Sequence, residues 1–523
     1  MAVALPTARI SRLTVTTLFA AVLLASVPSA AAPEPDLAAK QEIKLPAEDL
    51  ALLNRVTWGA NASGARSLAH LGASAFIDQQ LHPPQRDRLP AHAQAQIDAL
   101  TISQKPAVEL AIGLERQRQE ANAIADPEQK REARRAYRQA LAQVGREAAT
   151  RSLLRDLYSA DQLKEQLTWF WLNHFNVHAN KGSIRALIGD YEETAIRQHA
   201  LGKFRDLLGA TLHHPAMLIY LDNNRNAVGR INENYAREIM ELHTMGVGSG
   251  YTQTDVQELA RILTGFGVNL TPDAPRVRPA LQGQFIRHGL FVFNPNRHDY
   301  GDKTLLGRRI AGSGPKEVVQ ALDILSRAPA TSRFISRKLA VYFVSDNPPP
   351  ELVERMAATF RKTDGEIAAV LKTMFDAPEF KASLGTRFKD PMHFVVSALR
   401  LAYDDQPILN AAPIHNWLNR MAEPLYGHQT PDGYGLAEAA WVSPGQLVTR
   451  FEIARIIGSG SAPLFRPTAA EAGPAPAPQI ADNPGLEGLR PPLSTKTREA
   501  LNEATTPQDR NTLFLASPEF MRR

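Results

Sequence analysis

The densest chemistry in the chain lies in Trp169-Phe170-Trp171-Leu172-Asn173-His174-Phe175-Asn176-Val177-His178. His174 and His178 are four apart, so a helix through both puts their imidazoles on one face. Leu163, Leu167, Phe170 and Trp171 fall on that face too, which points both rings inward. Two inward imidazoles at this spacing are half of a nitrogen–oxygen site for Zn, Fe, Mn or Cu. They are equally a proton-transfer pair, or two core histidines bonded to carboxylates or carbonyls. A second segment, Asn234-Tyr235-Ala236-Arg237-Glu238-Ile239-Met240-Glu241-Leu242-His243, carries an apolar stripe of Tyr235, Ile239 and Leu242. Glu238 and Glu241 neighbour each other on another face and could complete such a site, as in helical carboxylate–histidine centres. Against that, Arg237 and Glu241 make a plain i,i+4 pair, and His243 suits the dipole of a helix ending before Gly246. A third segment, Asn296 to Lys303, places His298 and Asp299 side by side in turn chemistry. That pairing occurs in hydrolase loops and in ordinary turns alike. The expected catalytic set is therefore His174, His178, Glu238, His298 and Asp299. If the cofactor is a divalent metal, its ligands are His174, His178 and Glu238.

Other signals point away from chemistry. Asp190 with Glu193 reads as a helix start, and Tyr220 to Asn226 as a polar turn. Gly307 to Gly314 lacks the spacing of a phosphate-binding loop, and neither Gly-x-Ser-x-Gly nor His-Glu-x-x-His occurs. The 523 residues contain no cysteine. That excludes disulfide scaffolds, thiolate zinc sites, cysteine-ligated iron–sulfur clusters and thiol nucleophiles. A net charge of +5, spread along the chain, gives no reason to expect a nucleic-acid partner.

The elements that must hold these groups are mostly helices. Apolar residues recur at helical spacing from Leu50 through Val56, and again through Phe76, Ile77 and Leu81. Residues 95–158 are rich in Arg, Glu, Gln and Ala, with Asp126-Pro127 as a cap and first residue. They predict long charged helices, arranged as a protruding hairpin. The centre, 163–262, is helical, and helices resume from Lys316. The one β element is expected around 284–310, where Phe285 to Phe293 and Thr304 to Leu306 flank turn residues. The chain thus reads as a mainly α fold, a large multi-helix array with a small β-hairpin insertion. The main helical domain is expected over 33–461. Residues 462–493, with eight prolines, read as an extended linker, and 494–523 as a helical tail. At the N-terminus, Arg9 and Arg12 precede an uncharged run from Leu13 to Val27 and small residues at 29–32. This is the pattern of a cleaved export signal over 1–31. The run is short of the ~20 residues that span a bilayer. The expected location is periplasmic or secreted, with no membrane span after cleavage.

Taken together, Leu53-Asn54-Arg55-Val56-Thr57-Trp58-Gly59, Phe170 to Phe175, Asn232 to Glu238, His243 to Gly246, Gly250-Tyr251-Thr252 and Ala260 to Gly265 resemble a known family. So do His298 to Gly307, Arg337-Lys338-Leu339 and Ser517 to Phe520. It is the bacterial exported family catalogued as domain of unknown function number 1800, and the likeness runs over about 50–521. Residues 462–492 resemble an insertion, and 427–440 match loosely. The resemblance implies an exported helical protein, often encoded beside a sulfatase-like partner of the type called domain of unknown function number 1501. It implies no reaction. Two functions are therefore expected. One is a metal-assisted or acid–base hydrolase of an extracellular or periplasmic polymer. The other is a non-catalytic export or assembly partner of that sulfatase-like protein, with 95–158 as its docking arm.

Overall fold

The computed structural model describes residues 44–404, 406–466, 478 and 480–523. The expected export signal and the middle of the proline-rich stretch lie outside these. The described chain is mainly helical, with two small antiparallel sheets.

Local rules explain most helix boundaries. Asp126 accepts from the backbone N–H groups of Glu128 and Gln129, and Pro127 opens the helix Pro127–Tyr158. Proline opens Pro329–Phe343, Pro350–Lys362, Pro391–Tyr403 and Pro444–Gly458 in the same way, where its missing N–H costs nothing. The charged helices Ala107–Ala123 and Pro127–Tyr158 pack against each other. The longer one has 32 residues, about 48 Å at 1.5 Å per residue. Its first half is exposed, but from Leu141 onward it enters the core and carries Glu147, Arg151, Arg155 and Asp156 inside.

The helix Ala47–Val56 buries Leu50, Leu52, Leu53 and Val56, as its spacing predicts, and Arg55 with them. The Arg55 guanidinium donates to Phe343 O, to Ser383 Oγ at 2.9 Å and to Arg523 O at 2.7 Å. Just beyond, Gly59 has φ +133°, and a Cβ there would lie 2.4 Å from Ser397 Cβ. Only glycine lets these backbones approach so closely.

The β region divides into two sheets rather than one hairpin. β1 (Phe266–Val268) and β2 (Ile286–His288) both pair with β3 (Phe291–Phe293). β4 (Lys303–Leu305) pairs with β5 (Arg308–Ile310) across Leu306-Gly307, both at positive φ. Two residues at positive φ match the twist of flanking strands, so β4 turns back onto β5 and never reaches β3.

Residues 494–523 form the helices Thr495–Glu503 and Pro507–Leu515, which pack on each other and, through the second, on Pro444–Gly458. Arg523 exchanges backbone hydrogen bonds with Arg387, at 2.8 and 3.2 Å. Leu464 and Ile480 are buried, with Asn511 accepting from the backbone of Ile480 and Ala481. Among the described residues no helix is long and apolar enough to cross a membrane.

Candidate active site

The helix Gln162–His174 is buried along almost its whole length. Its one buried carboxylate, Glu165, is paired with Arg197, and Trp171 donates its indole N–H to Ala200 O at 2.9 Å. It ends at His174, because Phe175 leaves the helical region at φ −100°, ψ 48°. His178 therefore lies off the helix, and the shared face expected for His174 and His178 does not form. What stops the helix is a segment, 426–434, laid across its end. Asn173 both donates to Tyr434 O at 3.0 Å and accepts from Tyr434 N at 2.6 Å. Asn176 donates to His428 O and Thr430 O at 3.1 and 2.7 Å. Tyr220 donates to Gln429 O at 2.8 Å. At Gly433, φ is +76° and a Cβ would stand 2.2 Å from Asn173 O. Asn173→Ala should release this segment, leaving two backbone groups of Tyr434 without partners at a cost of about 1–3 kcal/mol. Hydrogen exchange confined to 426–434 checks it, and unchanged protection of Tyr434 N–H would refute the clamp.

His174 is buried and bonded at both ring nitrogens. Nε2 lies 3.1 Å from His243 O, and Nδ1 lies 2.9 Å from Lys338 Nζ. A carbonyl only accepts, so Nε2 carries the proton, and Nδ1 must accept from the lysine. Burial, then the neighbouring Lys338 charge, holds the His174 imidazole neutral, well below its ordinary range. Burial likewise lowers Lys338 to about 8, while Asp432 acts in the opposite direction. Asp432 itself is solvent-facing and bonded to Thr430 and His428.

His243 lies in the turn Ile239–Thr244, which is wound as a π-helix, with Met245 N bonded back to Met240 O at 3.1 Å. Such turns mark functional sites more often than ordinary helix does. Burial lowers His243 to about 3, and neither ring nitrogen has a partner among the described residues. Glu238 ends the preceding helix Asn234–Glu238. Burial raises its carboxyl, and the neighbouring charges of Glu241 and Asp432 raise it further. Glu241 pairs with Arg237 at 3.5 Å, the i,i+4 reading.

The remaining expected residues sit elsewhere. His298 is buried, with Nδ1 2.8 Å from Thr264 O and Nε2 3.1 Å from Glu317 Oε1. Glu317 also holds Lys303 at 2.6 Å and the backbone N–H groups of Ser313 and Gly314. Asp299 accepts two hydrogen bonds from Arg261, at 2.8 and 3.1 Å. His298 and Asp299 thus tie the β4–β5 sheet to its flanking helices and share no partner with His174. His178 keeps a buried Nδ1 without a partner among the described residues. Among the described residues no three His, Asp or Glu side chains are placed to hold a metal ion. The site that does form is Lys338, His174 and His243, and the charge of Asp432 acts both on Lys338 and on Glu238. Lys338 was legible as a signal: it shares a helical stripe with Ile335, Leu339 and Tyr342, all buried, and a lysine there is rare unless paired.

A family model described as a protein of unknown function, DUF1800, matches residues 51–522. No curated protein matches the chain, and no solved structure does.

Proposed function

The chain belongs to the DUF1800 family, and on that premise we propose that it is an exported hydrolase of a polymer, working by acid–base chemistry. Lys338 is its base and Glu238 its acid. The observation that carries this is the 2.9 Å contact between Lys338 Nζ and the unprotonated Nδ1 of His174. An amine that donates to His174 keeps its lone pair for something else. With its ordinary value near 10.4 brought down to about 8, a useful fraction is uncharged at neutral pH. It takes a proton from water as the water attacks the substrate carbonyl or glycosidic carbon. The raised carboxyl of Glu238 returns a proton to the leaving group. Two groups whose surroundings push their pKa values in opposite directions are the usual basis for dividing acid from base. His174 is a positioning residue: its locked tautomer aims the amine. Export rests on the leader expected over 1–31.

Acylation by an amine-reactive reagent, mapped by peptide mass spectrometry between pH 6 and 11, tests this reading. Lys338 should reach its half-maximal rate near pH 8, while exposed lysines keep accelerating above about 10. A Lys338 that stays inert until pH 10 would refute it.

One observation favours the second reading, a partner of a sulfatase-like protein. Leu447, Val448 and Phe451 stand exposed on the helix Pro444–Gly458, Val448 at 61%, and adjacent exposed apolar side chains mark docking faces. Under that reading the function survives the loss of Lys338.

A further inference from the structure

A cavity of about 580 Å³ opens between the helices Ala62–Leu71 and Ala73–Leu81 and the inner end of Pro127–Tyr158. It shares no lining residue with the Lys338 site, and its volume is that of a small-molecule pocket. One wall is Arg400, a side chain only 4% exposed. Its guanidinium gives Nε to Gly59 O at 3.1 Å, Nη1 to Leu157 O at 2.6 Å and Nη2 to Asn61 Oδ1 at 2.9 Å. An arginine has five N–H groups, so two remain for an acceptor in the cavity. His92 lines the cavity, its ring edge-on to Tyr158 at 4.9 Å. Its Nε2 is buried and has no partner among the described residues. Buried polar atoms left this way need an explanation, and an absent ligand is one.

The charged groups at the wall balance in number. Arg88 is bonded to Asp161. The Asp404 charge acts on Arg400, and Asp404 itself accepts from Asn61 and from the backbone N–H of Ser63 at 2.9 Å. Two arginines are thus matched in number by two carboxylates, and the wall carries no net positive charge to draw an anion. What the cavity offers is neutral donors and acceptors beside an apolar surface, Phe76 with Leu157. A sugar ring alternates hydroxyls with C–H faces and meets both.

We propose that this cavity binds a neutral saccharide of one or two rings, held by Arg400 and His92. Saturation-transfer NMR on the full chain tests it. The neutral probes are glucose, N-acetylglucosamine, cellobiose and diacetylchitobiose, with galacturonate as the charged one. Transfer to at least one neutral sugar is expected. It should vanish in Ser67→Trp, which fills the cavity from its rim, at an unchanged melting temperature. It should weaken at least tenfold in His92→Ala. If Ser67→Trp does not fold, Gln79→Tyr fills the same space from the neighbouring helix. No transfer to any neutral sugar, transfer that survives the filling variant, or preference for galacturonate would overturn the proposal.

Discussion

Lys338→Met is expected to abolish hydrolysis and yet leave the protein as stable as its parent or more so. The loss of activity should be about 10²–10⁴-fold, the usual contribution of a positioned base. Stability follows from the sign of the pKa shift. Burial lowers the folded-state value of Lys338 to about 8, against about 10.4 in an unfolded chain. The charge is therefore an unfavourable term at full strength below pH 8. It fades as pH rises from 8 to 10.4. Methionine removes it, a gain of order 3 kcal/mol by linkage. Offsetting this, His174 Nδ1 loses its donor, a cost of about 1–3 kcal/mol. The two nearly cancel at pH 7. Urea unfolding of parent and variant, beside their turnover of the same polymer, measures both. A variant that is markedly less stable would show that Lys338 is a structural tie. One that still turns over would remove it from the mechanism.

Arg197→Leu should do the opposite and destabilise by about 3–5 kcal/mol, the cost of breaking a buried pair from one side. Arg197 is buried and donates to both oxygens of the equally buried Glu165, at 2.9 and 2.6 Å. It also donates to Asp87 at 2.7 Å and lies 3.6 Å from Glu193. Leucine leaves all three carboxylates facing each other with less positive charge. In the parent, Asp87 and Glu193 are held below the ordinary carboxylate range, chiefly by Arg197 and Arg155 respectively, against the opposing effect of burial. Depressed carboxylates contribute stability that is complete above about pH 4 and disappears as pH falls through their folded values. The gap between parent and variant should accordingly be widest near pH 7 and narrow below pH 4. Urea midpoints across that range check it. A gap independent of pH would mean the loss is one of packing.

Periodicity carried the architecture. Leu50, Leu53 and Val56 face the core at the spacing that predicted them, and Asp126-Pro127 starts a helix where capping chemistry says it should. The site was less legible. Extending the helix through His178 assumed that a period continues until a breaker stops it. Here the stop is supplied by carbonyls of His428 and Thr430, some 250 residues away in sequence, bonded to Asn176. His298 beside Asp299 suited a hydrolase loop and an ordinary turn equally, and adjacency in sequence could not separate the two. Its real partner, Glu317, follows nineteen residues later and sits on the helix Lys316–Ser326. Lys338 entered only as part of the family resemblance, although its place in the stripe of Ile335 and Tyr342 marked it. Long-range side-chain-to-backbone bonds leave no periodic trace, and that is where sequence reasoning stopped.

The π-wound turn Ile239–Thr244 has a consequence for how this chain tolerates change. Such a turn is an α-helix carrying one surplus residue. A substitution within it alters one side chain. A single-residue deletion would restore ordinary winding: the chain on either side would stay nearly in register, but the backbone between Met240 and Met245 would be drawn in by one residue. The carbonyl of His243, which fixes the tautomer of His174, would swing away, and Lys338 would lose its orientation without itself being touched. The site is therefore robust to spelling errors and fragile to frame-preserving indels, so lineages that keep its chemistry must keep the length of this turn.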